Sequence, residues 1–457
     1  MNRIKLGKTK TRFNIGDMTR GNLWVQILFF SIPLVMSNLL QIMFNIADVM
    51  VVGRFAGAEA LGSVGCTTNL VALFVSFVVG IGSAVNVYTA RYIGAGKKKD
   101  IEETVHTSVA LVIIVGFILA AISIVFAGPL LELMNTKSEL IAGAKIYIRL
   151  YFCGMPAMAV YNCGSAIYSA SGNTRKPLVF LSLSGIVNIF LNLFFVIICR
   201  MGAAGVGLAS ALAQWLAALL IICSLVKCKE DWRIDLKSIR IVRDKAGDIL
   251  RLGIASGFQF SVFQIANVFI QTAVNSFDAV TVEGAAASAN ADNIVYDIMA
   301  AFYTACSSFI GQNYGAGNKK RIRNSYMISM FYSVGVAFLL GILLTLYGRQ
   351  FLSLFTNNQP VIEKGLERLA IMSMSYCVSG FMDCSLAASR GLGKTFVPNI
   401  VIILGSCVFR IIWIYTVFAA HHTIAGLYLL YVFSWALSSI GEITYFIYIY
   451  RKQTAML

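Results

Sequence analysis

The stretch that decides the fold is "RYIGAGKKKD" at 91–100, because the chain writes it again as "QNYGAGNKKR" at 312–321. Across 91–105 and 312–326, six of fifteen positions are identical: Gly94/Gly315, Ala95/Ala316, Gly96/Gly317, Lys98/Lys319, Lys99/Lys320 and Ile101/Ile322. The offset is 221 residues, and it recurs in "SGNTRKP" at 171–177 against "LGKTFVP" at 392–398, which share Gly172/Gly393 and Pro177/Pro398. A third echo, "IADV" at 46–49 against "IANV" at 265–268, has an offset of 219. Three echoes in order and nearly in register indicate two homologous halves.

What the halves are made of follows from composition. The 457 residues are 58% hydrophobic and 13% charged, whereas a soluble chain is about 45–50% apolar and about 25% charged. A membrane helix needs about 20 mainly apolar residues. Twelve such runs are expected, near 22–51, 60–90, 104–131, 140–170, 176–199, 203–227, 247–275, 284–311, 322–348, 361–389, 396–418 and 423–450. The fold class is therefore an all-α polytopic membrane protein of two six-helix bundles. The divisions are an N-terminal segment 1–21, an N-lobe 22–227, a charged linker 228–246 and a C-lobe 247–457. An even number of crossings per half makes the repeats parallel, with a cleft between the lobes. In this frame the repeated phrase closes the second helix of each half: glycine ends the helix and the lysines hold the loop at the membrane surface.

The formal charge is +16, and 28 of the 37 Lys and Arg fall on one side of the twelve-helix arrangement. That bias places both termini in the cytoplasm of a cell membrane. Spread over seven segments, the charge is not a nucleic-acid patch. The ten cysteines include no Cys-x-x-Cys and read as small hydrophobes. The first twenty residues do not read as a cleavable signal peptide. "GLGKTF" at 391–396 contains Gly-Lys-Thr, but a P-loop would need glycine where Ala388 stands. No ATP use and no cofactor is expected, only a coupling ion. No nucleophile–base pair suggests an enzyme.

Ionisable residues inside a bilayer are functional candidates by default. Asp48 lies fifteen residues after Pro33 in the first run, and a proline there permits a kink coupled to the charge. In the C-half, Asp292, Asp297, Asp383, Arg410 and Glu442 fall within helices. At ~1.5 Å per residue Asp297 and Arg410 both lie ~20 Å deep, so an Asp297–Arg410 ion pair is expected. A mostly apolar cleft is expected to be lined by Met36, Met43, Phe44, Tyr161, Phe258, Phe263, Tyr296 and Met299, side chains that adapt to organic cations.

Twelve spans in two parallel halves, "QNYGAGNKKRI" at 312–322, "SRGLGKTFVPN" at 389–399 and "IPLVMSNLLQIMFNIADVMVVG" at 32–53 together make the chain resemble the multidrug and toxic compound extrusion (MATE) transporters. The resemblance spans nearly the whole chain. It implies efflux of small organic, often cationic compounds in exchange for inward H⁺ or Na⁺, by a protein taken as a monomer. The DinF-like branch looks similar at Pro33 and Asp48, and has polar partners on helices 5 and 6. The matching positions here are Asn188, Asn192 and Ser210. Asn188 and Asn192 are four apart on one helix face. Branch members commonly carry a carboxylate where this chain has Asn192, so one carboxylate remains and suits either ion. The NorM-like branch uses a helix 7 glutamate; the nearest residues here, Gln259 and Gln264, are neutral. The alternative reading is a flippase for a lipid-linked precursor or other amphiphile, which would need clustered Arg or Lys in the cleft.

Overall fold

The structure is a computed structural model and describes residues 17–134 and 136–455. Residues 1–16 of the expected N-terminal segment lie outside the described residues. Every described element is helical, as the uniformly apolar runs require in a medium that cannot satisfy free backbone groups.

The N-lobe contains α1 (Leu23–Phe55), α2 (Gly57–Gly65), α3 (Thr68–Gly94), α4 (Lys98–Leu133), α5 (Ser138–Phe152), α6 (Met155–Ala170), α7 (Arg175–Leu193) and α8 (Gly202–Val226). The C-lobe contains α9 (Arg243–Val274), α10 (Ala279–Gly315), α11 (Lys319–Ser353), α12 (Gln359–Gly391), α13 (Phe396–Ile402), α14 (Phe409–Trp413), α15 (Ala419–His421) and α16 (Ile424–Thr454). Eleven stretches among the described residues are long and apolar enough to cross a membrane. The expected crossing at 140–170 is the remaining one. It is split into α5 and α6 around Cys153–Gly154, with Pro156 starting the second piece, where its missing N–H does no harm. α1, by contrast, stays one continuous helix through Pro33; the Ser37 hydroxyl donates to the Pro33 carbonyl at 2.9 Å. α9 begins at Arg243, so the last four residues of the expected linker are helical.

The two halves repeat in detail. Gly96 and Gly317 have φ of +63° and +71°, a region that only glycine enters freely. The next residues, Lys97 and Asn318, have φ/ψ of −90°/82° and −91°/82° and start α4 and α11. The helix-ending role read from the repeated phrase is thus present, but the phrase does more. The two copies pack on each other. A Cβ on Gly94 would lie 1.9 Å from the Gln312 carbonyl oxygen, and one on Gly315 1.9 Å from the Arg91 carbonyl oxygen. The Arg91 guanidinium sits 4.7 Å from the centre of the Tyr314 ring. Gln312 donates to the Ala170 carbonyl at 2.6 Å and accepts from the Met18 N–H at 3.3 Å. Arg321 donates to the carbonyls of Met18 and Gly21 at 2.9 and 2.8 Å. These contacts join the lobes at the end of the molecule that carries both termini, hereafter the terminal face.

The linker is docked on the N-lobe. Asp235 N–H donates to His106 Nε2 at 2.9 Å, His106 Nδ1 pairs with the Glu102 carbonyl at 2.8 Å, and Ile234 is fully buried. Lys98–Asp231 and Arg240–Glu103 ion pairs flank this anchor at 3.2 and 3.5 Å. Large apolar side chains such as Phe117, Val125, Phe331 and Leu339 are exposed on the outer faces of α4 and α11. On a soluble protein such patches would drive aggregation; around a bundle of apolar helices they are the lipid surface.

Candidate functional site

Within the N-lobe, α1, α7 and α8 bring Asp48, Asn188, Asn192 and Ser210 together. Asn192 Nδ2 donates to Asp48 Oδ1 at 2.5 Å and to Asn188 Oδ1 at 3.2 Å, and the Ser210 hydroxyl donates to Asp48 Oδ2 at 3.4 Å. Asn192 is fully buried and its Oδ1 has no partner among the described residues. No Lys or Arg pairs with Asp48 among the described residues. A carboxylate in this setting, with amide and hydroxyl oxygens at hand, can take up a proton or accept a hard cation such as Na⁺.

A separate cavity of about 870 Å³ lies between the lobes, walled by α1, α3, α6, α9, α10 and α12, with Arg410 of α14 at its side. It reaches Gln271, Val274 and Ala285 at one end of the C-lobe helices; its lining stops at Asn86, Ser169, Ser307 and Arg390 towards the terminal face. Beyond that point the Gly94/Gly315 crossing closes it. The cavity is therefore open away from the termini.

Of the expected lining, Tyr161, Phe263, Tyr296 and Met299 face the cavity. Met36, Met43 and Phe258 do not: they are exposed and outside the lining, on faces that look away from the cavity. Phe44 is also outside it, since its ring packs over Gly185, where a Cβ would lie 1.9 Å from a ring carbon. The wall is mostly apolar, as expected, and carries a set of polar and charged side chains among the apolar ones. Asn38, Gln41, Asn86, Asn162, Gln264, Asn267 and Asn293 line it, as do Asp292, Asp297, Asp383, Arg368, Arg390 and Arg410.

The expected Asp297–Arg410 ion pair is not made. Asp292 takes the ion pair instead, with Arg368 of α12, which also donates to the Ser288 hydroxyl at 3.2 Å; the Tyr376 hydroxyl donates to the same carboxylate. Asp297 contributes its backbone carbonyl, which accepts from Asn38 Nδ2 at 2.7 Å across the lobe boundary. Its carboxylate has no hydrogen-bond or ion-pair partner among the described residues. Arg410 is fully buried, with Nε donating to Ser434 at 3.1 Å and Nη1 to Asn267 at 3.5 Å. Glu442 is also fully buried and lies outside the cavity lining; neither of its carboxyl oxygens has a partner among the described residues.

Comparison with known proteins now decides the family. The MatE family model matches twice, at residues 33–194 and 255–416. The chain belongs to the MatE family. The doubled match covers each half with an offset of 222 residues, one more than that of the repeated phrase. The MatE chain is 27% identical over 361 residues to the probable multidrug resistance protein YpnP of Bacillus subtilis, covering 79% of this chain and 80% of that one. It is 24% identical to the probable multidrug resistance protein YoeA of the same organism, covering 95% and 96%. Among solved structures it superposes at a TM-score of 0.89 on a MOP-superfamily transporter from Pyrococcus furiosus. That protein is 20% identical, with 95% of this chain and 98% of that chain covered, and is described by a binding pocket of reversed polarity that suggests a different function. MatE proteins are transporters and not enzymes.

Sequence reasoning missed two charged residues of the MatE cavity. Arg390 reads as the first basic residue of a loop, yet it is buried at the end of α12 and donates to Gln259 Oε1 at 2.7 Å and Asn399 Oδ1 at 3.2 Å. Arg368 reads as a rim charge, yet it is 5% exposed and paired with Asp292. The available signal was Asp292 itself: a carboxylate within an apolar helix calls for a partner, and Arg368 lies on α12, which packs against α10.

Proposed function

We propose that this protein is a secondary active exporter of small organic compounds, often cationic, coupled to inward movement of H⁺ or Na⁺ by alternating access. The observation that carries the reading is on α1. Its Leu34, Ser37, Asn38 and Gln41 line the central cavity, while Asp48, seven residues further along, sits in the closed N-lobe cluster. That separation is about 10 Å along the helix. One rigid element thus touches both a substrate-sized cavity and an ion-accepting carboxylate, so a change in the charge of Asp48 can bias the packing of the lobe wall. The names of the relatives YpnP and YoeA support multidrug efflux. The single carboxylate within the N-lobe spans supports a DinF-like mode of coupling, since the helix 7 positions Gln259 and Gln264 are neutral.

The reading includes a cell-membrane location with both termini in the cytoplasm, supported by the one-sided distribution of Lys and Arg. On that orientation the cavity opens outwards. It also includes action as a monomer without ATP. The flippase alternative asks for free, clustered cations to grip a pyrophosphate, and two of the three cavity arginines, Arg368 and Arg390, are already engaged by protein groups.

The test uses purified protein in liposomes under imposed Na⁺ or pH gradients, with a fluorescent organic cation as the exported compound. One gradient should drive transport and the other should not. Asp48→Asn should remove the response while the protein stays folded; undiminished gradient-driven efflux in that variant sinks the assignment.

A further inference from the structure

The doubled family match, 33–194 and 255–416, puts Arg410 on the C-lobe crossing that repeats the N-lobe crossing of Asn188. The "IADV"/"IANV" echo places Asn267 at the repeat position of Asp48. In the structure these C-lobe equivalents also meet: Arg410 Nη1 lies 3.5 Å from Asn267 Oδ1. The corresponding crossings of the two halves therefore hold a carboxylate among amides in one lobe and a guanidinium beside an amide in the other. The sign of the charge is inverted.

Arg410 is built as a fixed cation. Its guanidinium carbon lies 4.9, 4.7 and 5.9 Å from the ring centres of Phe263, Tyr431 and Trp435. Aromatic faces hold a guanidinium without neutralising it. No carboxylate lies within ion-pair distance among the described residues, and Nη2 has no partner at all. Leaving a full charge unmatched in a membrane interior is expensive, and such residues mark ligand pathways. Arg410 also lies in the wall of the central cavity, which presents the unpartnered carboxylate of Asp297 on α10. The two opposite charges line one chamber without pairing with each other.

We propose that the C-lobe wall is an oxyanion anchor. Arg410 receives a carboxylate of the substrate while Asp297 meets its cationic part, so that the cavity prefers zwitterions over simple organic cations. The approaching carboxylate takes the free Nη2 and displaces the long Asn267 contact at Nη1, giving a charge-assisted fork. This rests on the cavity being the substrate site proposed above.

The experiment compares rhodamine B, which carries a free carboxylate, with its ethyl ester, in which an ethyl group replaces that charge. Binding to the full-length protein in lipid nanodiscs is read by fluorescence polarisation at neutral pH. The acid should bind about tenfold or more tightly than the ester, the scale of one desolvated charge-assisted pair. Arg410→Gln should collapse the preference while ester binding is kept or strengthened, since a repelling charge is lost. Asn267→Asp should collapse it too, by giving Arg410 an internal carboxylate at almost unchanged side-chain volume; this variant carries the test if Arg410→Gln does not fold. Equal binding of acid and ester by the unmodified protein overturns the proposal, as does a preference that survives in either folded variant. If neither dye binds, the substrate cavity itself is misassigned and the anchor falls with it.

Discussion

At the scale of single residues, the contrast between Asp48 and Asp292 is instructive. Both are carboxylates within apolar helices, but Asp48 meets only neutral donors while Asp292 is locked by Arg368 and Tyr376. Removing Arg368 should therefore cost stability rather than coupling. Arg368→Met leaves the half-buried Asp292 carboxylate without its cation, a loss of roughly 1–3 kcal/mol, which a thermal-shift measurement in detergent would register as a lower melting temperature. Adding Asp292→Leu should recover most of it. The Asp48 carboxylate was legible because only one acid falls in the N-lobe spans, and its partners Asn188, Asn192 and Ser210 because the resemblance pointed to those positions. The Asp292–Arg368 pair was not. Depth along a helix can be counted from sequence, but azimuth relative to a neighbour cannot. Asp292 and Asp297 are five residues apart, hence about 140° apart around α10, so within the same cavity wall one reaches Arg368 on α12 and the other does not.

At the scale of helices, the crossing of α3 and α10 sets which end of the cavity is shut. Gly94 and Gly315 have no side chain because each lies against the other helix's backbone. Gly315→Leu should force the pair apart, with an overpacking cost of about 1–3 kcal/mol in the closed arrangement, enough to shift the populations of the two arrangements roughly tenfold. The check is a cysteine at cavity position Ser307: its labelling by a membrane-impermeant maleimide from the open side should fall in the Gly315→Leu background. Unchanged labelling would mean that the glycine contact does not hold the closure. The repeat of the phrase could be read from sequence, as could its role in ending helices. That its two copies touch each other could not, because contact across the lobe boundary depends on how the bundles are docked.

For the whole molecule, the linker between the two lobes is held by one of them. Its anchors, His106, Glu103 and Lys98, all belong to α4 of the N-lobe. His106 accepts at Nε2 and so carries its proton on Nδ1. His106→Phe should free the Asp235 N–H and loosen residues 228–242, which limited proteolysis would detect as faster cleavage in that segment with the two lobes left intact. High salt should act in the same direction through the exposed Lys98–Asp231 pair.

Membrane class, two-fold repetition and the lone carboxylate within the N-lobe spans were all determined by the sequence, because composition, run length and spacing are properties of the chain alone. The repeat even foretold where the halves diverge, with Asp48 in one and Asn267 in the other. Tertiary structure decided what faces what. It turned Met36, Met43 and Phe258 away from the cavity, gave Asp292 rather than Asp297 an arginine, left Arg410 caged by aromatic rings, and pressed the two copies of the glycine phrase together. Each of these depends on the rotation and docking of helices that are nearly uniformly apolar. A helix that is apolar all round carries no stripe from which its orientation can be read.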